Sequence, residues 1–277
     1  MNRLDTDDTL VPLKPAKAAR IGHAHSIRLG KDGQSTPWDE SYEHIFQEAD
    51  NLFPSNISKF EAFADKTITK PIEDRFTAHT VTEAECRAFA ESLVSLVVRS
   101  PEFREKCVGV AEHCRGPLPE RERNTLISLN QRHCHRAYAD SFASRCKFVV
   151  LVTDNREFIY GDGMYSDMSP LSAPAPNPST LLSPITPQIS VLMTQPMAYA
   201  PQPRLVSTLL TDDEVGHLNH FIQIHSKQYL FYRDQRPELS DAFRSGTHLM
   251  IDDYPHPVSK FIRTIPGVRP SPFGLGA

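Results

Sequence analysis

The stretch KFVVLVTDNREFIY, residues 147–160, divides this chain into two parts of different character. Phe148 to Thr153 is an apolar, β-branched run, Asp154-Asn155 is a turn-forming pair, and Arg156 to Tyr160 returns to strand composition. The pattern predicts strand, turn, strand. Upstream the signals are helical. Thr82-Glu-Ala-Glu85 is a capping box, in which a Thr hydroxyl and a Glu carboxylate satisfy free backbone N–H groups. Phe89, Leu93, Leu96 and Val97 follow at i, i+4, i+7 and i+8, one apolar stripe. Pro101 pushes Ser100 out of the helical region and so ends this run or opens the next. Further helices are expected over 102–114 and 119–145. Phe60, Phe63, Ile68 and Ile72 predict another over 58–78, interrupted at Pro71. Residues 39–49 read as a short helix, and 24–28 as a short strand before the turn Gly30 to Gly33.

Downstream, the Pro-rich segment 168–187 reads as an extended loop, and Ile189 to Met193 as a third strand. Thr211-Asp-Asp-Glu214 is a second capping box that opens a helix running to Ser226. Tyr229 to Tyr232 is a short aromatic strand. The expected class is α+β: a mainly helical first half, a small antiparallel sheet, and a C-terminal helix. The expected organisation is a flexible lead over 1–22, a single domain over 23–235, and a Pro-rich, largely irregular tail over 236–277.

The 277 residues carry 30 Lys+Arg against 34 Asp+Glu, a net charge of −4, so no overall basic field holds nucleic acid. The uncharged stretch 168–203 contains nine prolines, which rules out a spanning helix there. No apolar leader of signal-peptide length opens the chain. Five cysteines without tight spacing fit reduced thiols. A soluble cytoplasmic protein without a membrane partner is expected.

Four short segments, in order, carry a family resemblance. They are Phe60-Glu-Ala-Phe63 with Ile68 and Pro71-Ile-Glu73; Val97-Val-Arg99-Ser-Pro101-Glu-Phe-Arg104; Phe158-Ile-Tyr-Gly-Asp162-Gly-Met164; and Leu182-Ser-Pro184-Ile-Thr-Pro187 before Ile189 to Met193. Helix 212–226 with Asn219, then Tyr229 to Tyr232, completes the series. In these the chain resembles the microbial domain of unknown function 4238, a family named for an N-terminal His-Tyr-Val-Pro motif. Two positions depart from the family. Leu10-Val-Pro12 stands in place of the motif, without the histidine, and Gly163-Met164 replaces the Asn-Pro that follows the strand's Asp. The family has no established activity, so the resemblance implies no reaction.

Candidate chemistry is sparse. Asp162, between Gly161 and Gly163 and near Asp154 and Asp167, is placed to hold Mg²⁺ or Mn²⁺ through oxygen ligands, although Asp and Gly also simply make turns. His217 and His220 are i, i+3 on one helix and share a face, able to bind a metal or phosphate. Asn219 is expected to cap the Pro-rich loop. Arg99 and Arg104 bracket Pro101; both suit a helix C-terminus or a bidentate phosphate contact, and Arg99 is expected to pair with Glu73. His113, Cys114, His133, Cys134 and His135, with Cys107 and Cys146, form a soft-ligand cluster. Neighbours on one helix point about 100° apart, and zinc spacings are missing, so buried thiols and surface histidines are expected rather than zinc. Nucleotide cradles and hydrolase elbows are absent.

Two functions follow from this reading. The first is a protein acting by binding, in an accessory or defence setting, with segment 168–187 as the surface for a protein partner. The alternative is a metal-dependent hydrolase acting on nucleic acid or nucleotides. There Asp162 would be the ligand, Asp167 or Asp154 would help, His217 or His220 would be the base, and Arg99 or Arg104 would hold the phosphate.

Overall fold

In the computed structural model the described residues are 2–12, 26–27, 40–41, 43–64, 75–170, 180–196, 201–246 and 261–268. In chain order the elements are β1 (Asn2–Asp5), β2 (Leu10–Pro12), β3 (Ser26–Ile27), β4 (Glu40–Ser41), a 3-10 turn (Glu43–Phe46) running into α1 (Gln47–Phe63), and β5 (Thr77–His79). Then come α2 (Glu83–Arg99), α3 (Pro101–Arg115), α4 (Glu120–Arg145), β6 (Lys147–Val152), β7 (Tyr160–Gly161), β8 (Leu181–Thr186), β9 (Ile189–Thr194), β10 (Leu205–Leu209), α5 (Asp212–His225), β11 (Tyr229–Tyr232) and α6 (Asp241–Arg244). The class is α+β, with the helices mainly in the first half.

Strand β6 lies at the centre of a five-stranded mixed sheet, ordered β5-β10-β6-β9-β8. It runs parallel to β10 and antiparallel to β9. Successive side chains on a strand point to opposite faces, and both faces of β6 are covered. Phe148, Val150 and Val152 pack with α1 to α4, joining Phe60, Phe89, Leu93, Phe103 and Phe142. Val149 and Leu151 face the other way, onto Phe221 and Ile222 of α5, Leu4 of β1 and Leu230 of β11. A strand buried on both sides loses its polar alternation, which is why the run at 148–152 is uniformly apolar.

A second sheet, antiparallel and ordered β2-β1-β11-β7, stands with α5 on that other face. The chain therefore has two principal sheets rather than one small one, and the expected hairpin around Asp154 is not made. Residues 156–159 are not strand; β7 starts at Tyr160 and pairs with β11, not with β6. The lead is also revised: residues 2–12 form β1 and β2, pinned to β11, with Leu4 wholly buried.

The capping boxes at Thr82 and Thr211 are both formed. The helix expected over 58–78 is instead α1, ending at Phe63, and Thr77–His79 is drawn into the sheet against β10. Pro71 lies outside the described residues, as does the turn Gly30 to Gly33. The helix expected over 39–49 begins as strand β4, paired with β3, before the 3-10 turn.

Segment 168–187 is not all loop. Residues 171–179 lie outside the described set, but Leu181–Thr186 is the edge strand β8. Pro184 is accommodated there because its side of the strand needs no donor. Leu182 turns its N–H outward, to the Tyr165 carbonyl at 3.0 Å. Pro184, two residues on, has the same orientation, so no ladder bond is lost. Tail residues also pack: Phe243, Phe261, Ile262, Ile265 and Val268 are buried in the second core cluster.

Candidate functional site

A cleft of about 660 Å³ opens between α5 and the segment 235–244. That lies within the range of small-molecule sites. Its framework consists of buried polar side chains whose bonds are met within the protein. Asn219 accepts from the Ile159 N–H at 3.1 Å and donates to the Glu157 carbonyl at 2.8 Å. It therefore fastens the 157–159 segment to α5, not the Pro-rich loop as expected. Gln223, one turn on, donates to the Glu238 carbonyl at 2.8 Å and accepts from the Ser240 N–H at 2.7 Å, tying α5 to the opposite wall. The buried Glu157 carboxylate accepts from Arg233 and from the Asp234 and Gln235 N–H groups. Burial alone would raise this carboxyl, but those backbone bonds and the guanidinium outweigh it and hold it below its ordinary range.

His217 and His220 are exposed and both line the cleft. Their helix is set by the Thr211–Glu214 capping box and by Val215, Leu218, Phe221 and Ile222, which face the core. Arg156 reaches the same site from the turn after β6. Its guanidinium lies against Gly216, donating to the Asp212 carbonyl at 3.4 Å. Arg244, from α6, adds to the basic lining, while Glu238 and Asp241 supply carboxylates on the far wall.

The other residues singled out from sequence are not brought to this cleft. Asp162, at the end of β7, accepts from the Lys227 N–H at 2.7 Å and the Gln228 N–H at 3.0 Å. Burial raises its carboxyl, and these backbone bonds offset that only in part. Both of its oxygens are thus engaged in holding the turn between α5 and β11. Asp167 accepts from the Thr180 N–H at 2.6 Å. Asp154 lines a separate hollow of about 270 Å³ with Asp212 and Asp213. Arg99 holds Asp50 in a two-point contact, at 3.0 and 2.6 Å, over the Phe46 ring; Glu73, its expected partner, is outside the described residues. Arg104 lies on α3.

Among the described residues no three His, Cys, Asp or Glu side chains come together as metal ligands. All five cysteines are free, and four are buried. Burial pushes the thiols up, Cys107 to about 12 and Cys134 to about 11, which keeps them protonated. His113, Cys114 and His133 are exposed, whereas His135 is half-buried, 3.1 Å from the Glu91 carbonyl and edge-on to Phe46. Among the described residues no helix is long and apolar enough to cross a membrane.

Sequence reasoning missed Arg156, Gln223 and Glu157. One signal for the site stood in plain view: Gly216 in the middle of a capped helix, where glycine is disfavoured by about 1 kcal/mol relative to alanine. No family model matches this chain, and no curated protein or solved structure matches it.

Proposed function

We propose that this protein acts by binding a small polar ligand in the cleft between α5 and residues 235–244. One observation carries this reading. The cleft walls are joined by buried Asn219, Gln223 and Glu157, whose bonds are met internally, while exposed His217 and His220 present their imidazoles to the opening. A wall held in place by satisfied buried groups orders few side chains on binding, and so loses little affinity to entropy. The described ends of segment 168–187 do not favour that segment as the contact surface, since Met168 and Leu181 to Pro184 are buried.

Kinship with the His-Tyr-Val-Pro family, and with it an accessory or defence setting, belongs to the same proposal. Its support is the order of the short segments given above. The five free cysteines support residence in a reducing compartment such as the cytoplasm.

The test is thermal denaturation against a set of anionic, zwitterionic, cationic and neutral metabolites. A ligand of the folded state raises the melting temperature by mass action. At least one compound is expected to do so in the parent protein and to lose its effect in His217→Ala/His220→Ala. A screen with no such compound overturns the reading.

A further inference from the structure

We propose that the α5 face of the cleft is an anion subsite, holding a phosphate or carboxylate group of the ligand between Arg156, His217 and His220. This rests on the binding reading above and names the chemistry of the bound group.

The geometry begins at Gly216. A Cβ built there would lie 2.5 Å from Arg156 Nη1 and 3.0 Å from Cζ, so the guanidinium occupies the space that a side chain at 216 would fill. Residues i and i+4 are neighbours on one helix face. Gly216 is four residues before His220, and His217 is three before it. The Arg156 guanidinium therefore replaces the missing side chain in a row that continues with the two imidazoles, and all three residues line the cleft. A planar guanidinium fits the oxygens of a phosphate or carboxylate at two points, and an imidazole N–H beside it supplies another donor.

The remaining charges in the cleft divide by whether they are already used. Glu157 is bonded to Arg233 and two backbone N–H groups, and Arg236 is paired with Asp8 at 2.7 Å. No lining residue contributed by α5 is acidic; the carboxylates of Glu238 and Asp241 come from the opposite wall together with Arg244. Among the described residues His217 makes no hydrogen bond, and the His220 ring stands edge-on to Phe221. Among the described residues the Arg156 guanidinium makes only its long bond to the Asp212 carbonyl. The donors on the α5 wall are thus available to a ligand, on a wall to which α5 contributes no acid.

The experiment titrates the full chain with inorganic phosphate and, separately, with malonate, following the His217 and His220 imidazole resonances by NMR. Chloride at matched ionic strength is the control. Saturable shifts are expected. Phosphate alone would mark a phosphoryl group, and malonate alone a carboxylate. Arg156→Gln should weaken binding about tenfold, the loss of one charge-assisted contact. Gly216→Ala should also weaken it, because the new methyl displaces the guanidinium while all three binding side chains remain. Its melting temperature should hold or rise, since alanine favours the helix. Shifts no larger than chloride produces, or equal affinity in both variants and the parent, overturn the proposal. A neutral or cationic compound that binds through His217 and His220 while both anions fail overturns this inference and leaves the binding reading standing.

Discussion

His225 Nδ1 lies 3.1 Å from Glu102 Oε2, and this buried pair joins the C-terminal end of α5 to the first turn of α3. Lys106, one turn further along α3, pairs with the other oxygen of Glu102, and the Tyr165 ring stands edge-on to the imidazole at 5.3 Å. The helical layer and the second core are thus connected by a buried polar contact as well as through the sheet between them.

Burial on its own pushes the Glu102 carboxyl up, but the His225 hydrogen bond, the His225 charge and Lys106 outweigh it, so the group sits below its ordinary range. A carboxyl lowered in the folded state stabilises the fold above its unfolded pKa, and that contribution is lost as pH falls through the folded value. The melting temperature should therefore drop on acidification below about pH 4.3. Glu102→Gln should cost about 1–3 kcal/mol at pH 7, the usual effect of disturbing a buried hydrogen-bonded group, and should flatten the acid limb. Urea unfolding across pH checks both; an acid limb parallel to that of the parent would count against the assignment.

Two glycines should respond in opposite directions. A Cβ at Gly163 would lie 1.8 Å from the His225 carbonyl oxygen, a backbone atom that cannot swing aside. Gly163→Ala should destabilise by about 3 kcal/mol, at the upper end for overpacking. Gly109 is exposed in α3, and among the described residues no heavy atom beyond its own stretch of helix lies within 4 Å of its added Cβ. Gly109→Ala should stabilise by about 1 kcal/mol through helix propensity. Denaturant midpoints of the two variants provide the comparison.

Asp162 should behave as an anchor. Asp162→Ala leaves the Lys227 and Gln228 N–H groups without their acceptor, at a cost of about 1–3 kcal/mol for each one left buried. The loss should be the same in chelator as in Mg²⁺ or Mn²⁺. A loss that appears only with the metal present would restore the ligand role read from sequence.

Gln223 should control the cleft. Gln223→Ala removes the bonds to the Glu238 carbonyl and the Ser240 N–H. The expected result is faster amide exchange at Ser240 and across α6, with a stability loss of about 1–3 kcal/mol. Unchanged exchange at Ser240 would show that the wall is held by other contacts.

Much of the helical half could be read directly, because its signals join residues three or four apart. Thr82 and Glu85 form their capping box whatever the rest of the chain does, as do Thr211 and Glu214. Pro101 divides α2 from α3 for an equally local reason, its effect on Ser100. Position 148–152 was legible as strand from composition alone. His217 and His220 were legible as a pair because helical spacing places them on one face.

Strand partners and the rest of the cleft were decided by tertiary structure. A two-residue strand such as β7 carries too little pattern to choose between the adjacent β6 and the distant β11, and the Asp162 carboxylate that holds the 227–228 turn fixes that choice across 65 residues. Leu4 reads as part of a polar lead until β11 pairs with β1 and the second core closes over it. Glu102 and His225 stand 123 residues apart, with no local feature linking them. Arg156 meets Gly216 only because the turn after β6 comes to rest against α5. Sequence alone determined which segments coil and where helices start, since those energies are local; only packing of both faces of the mixed sheet determined which side chains share a cleft.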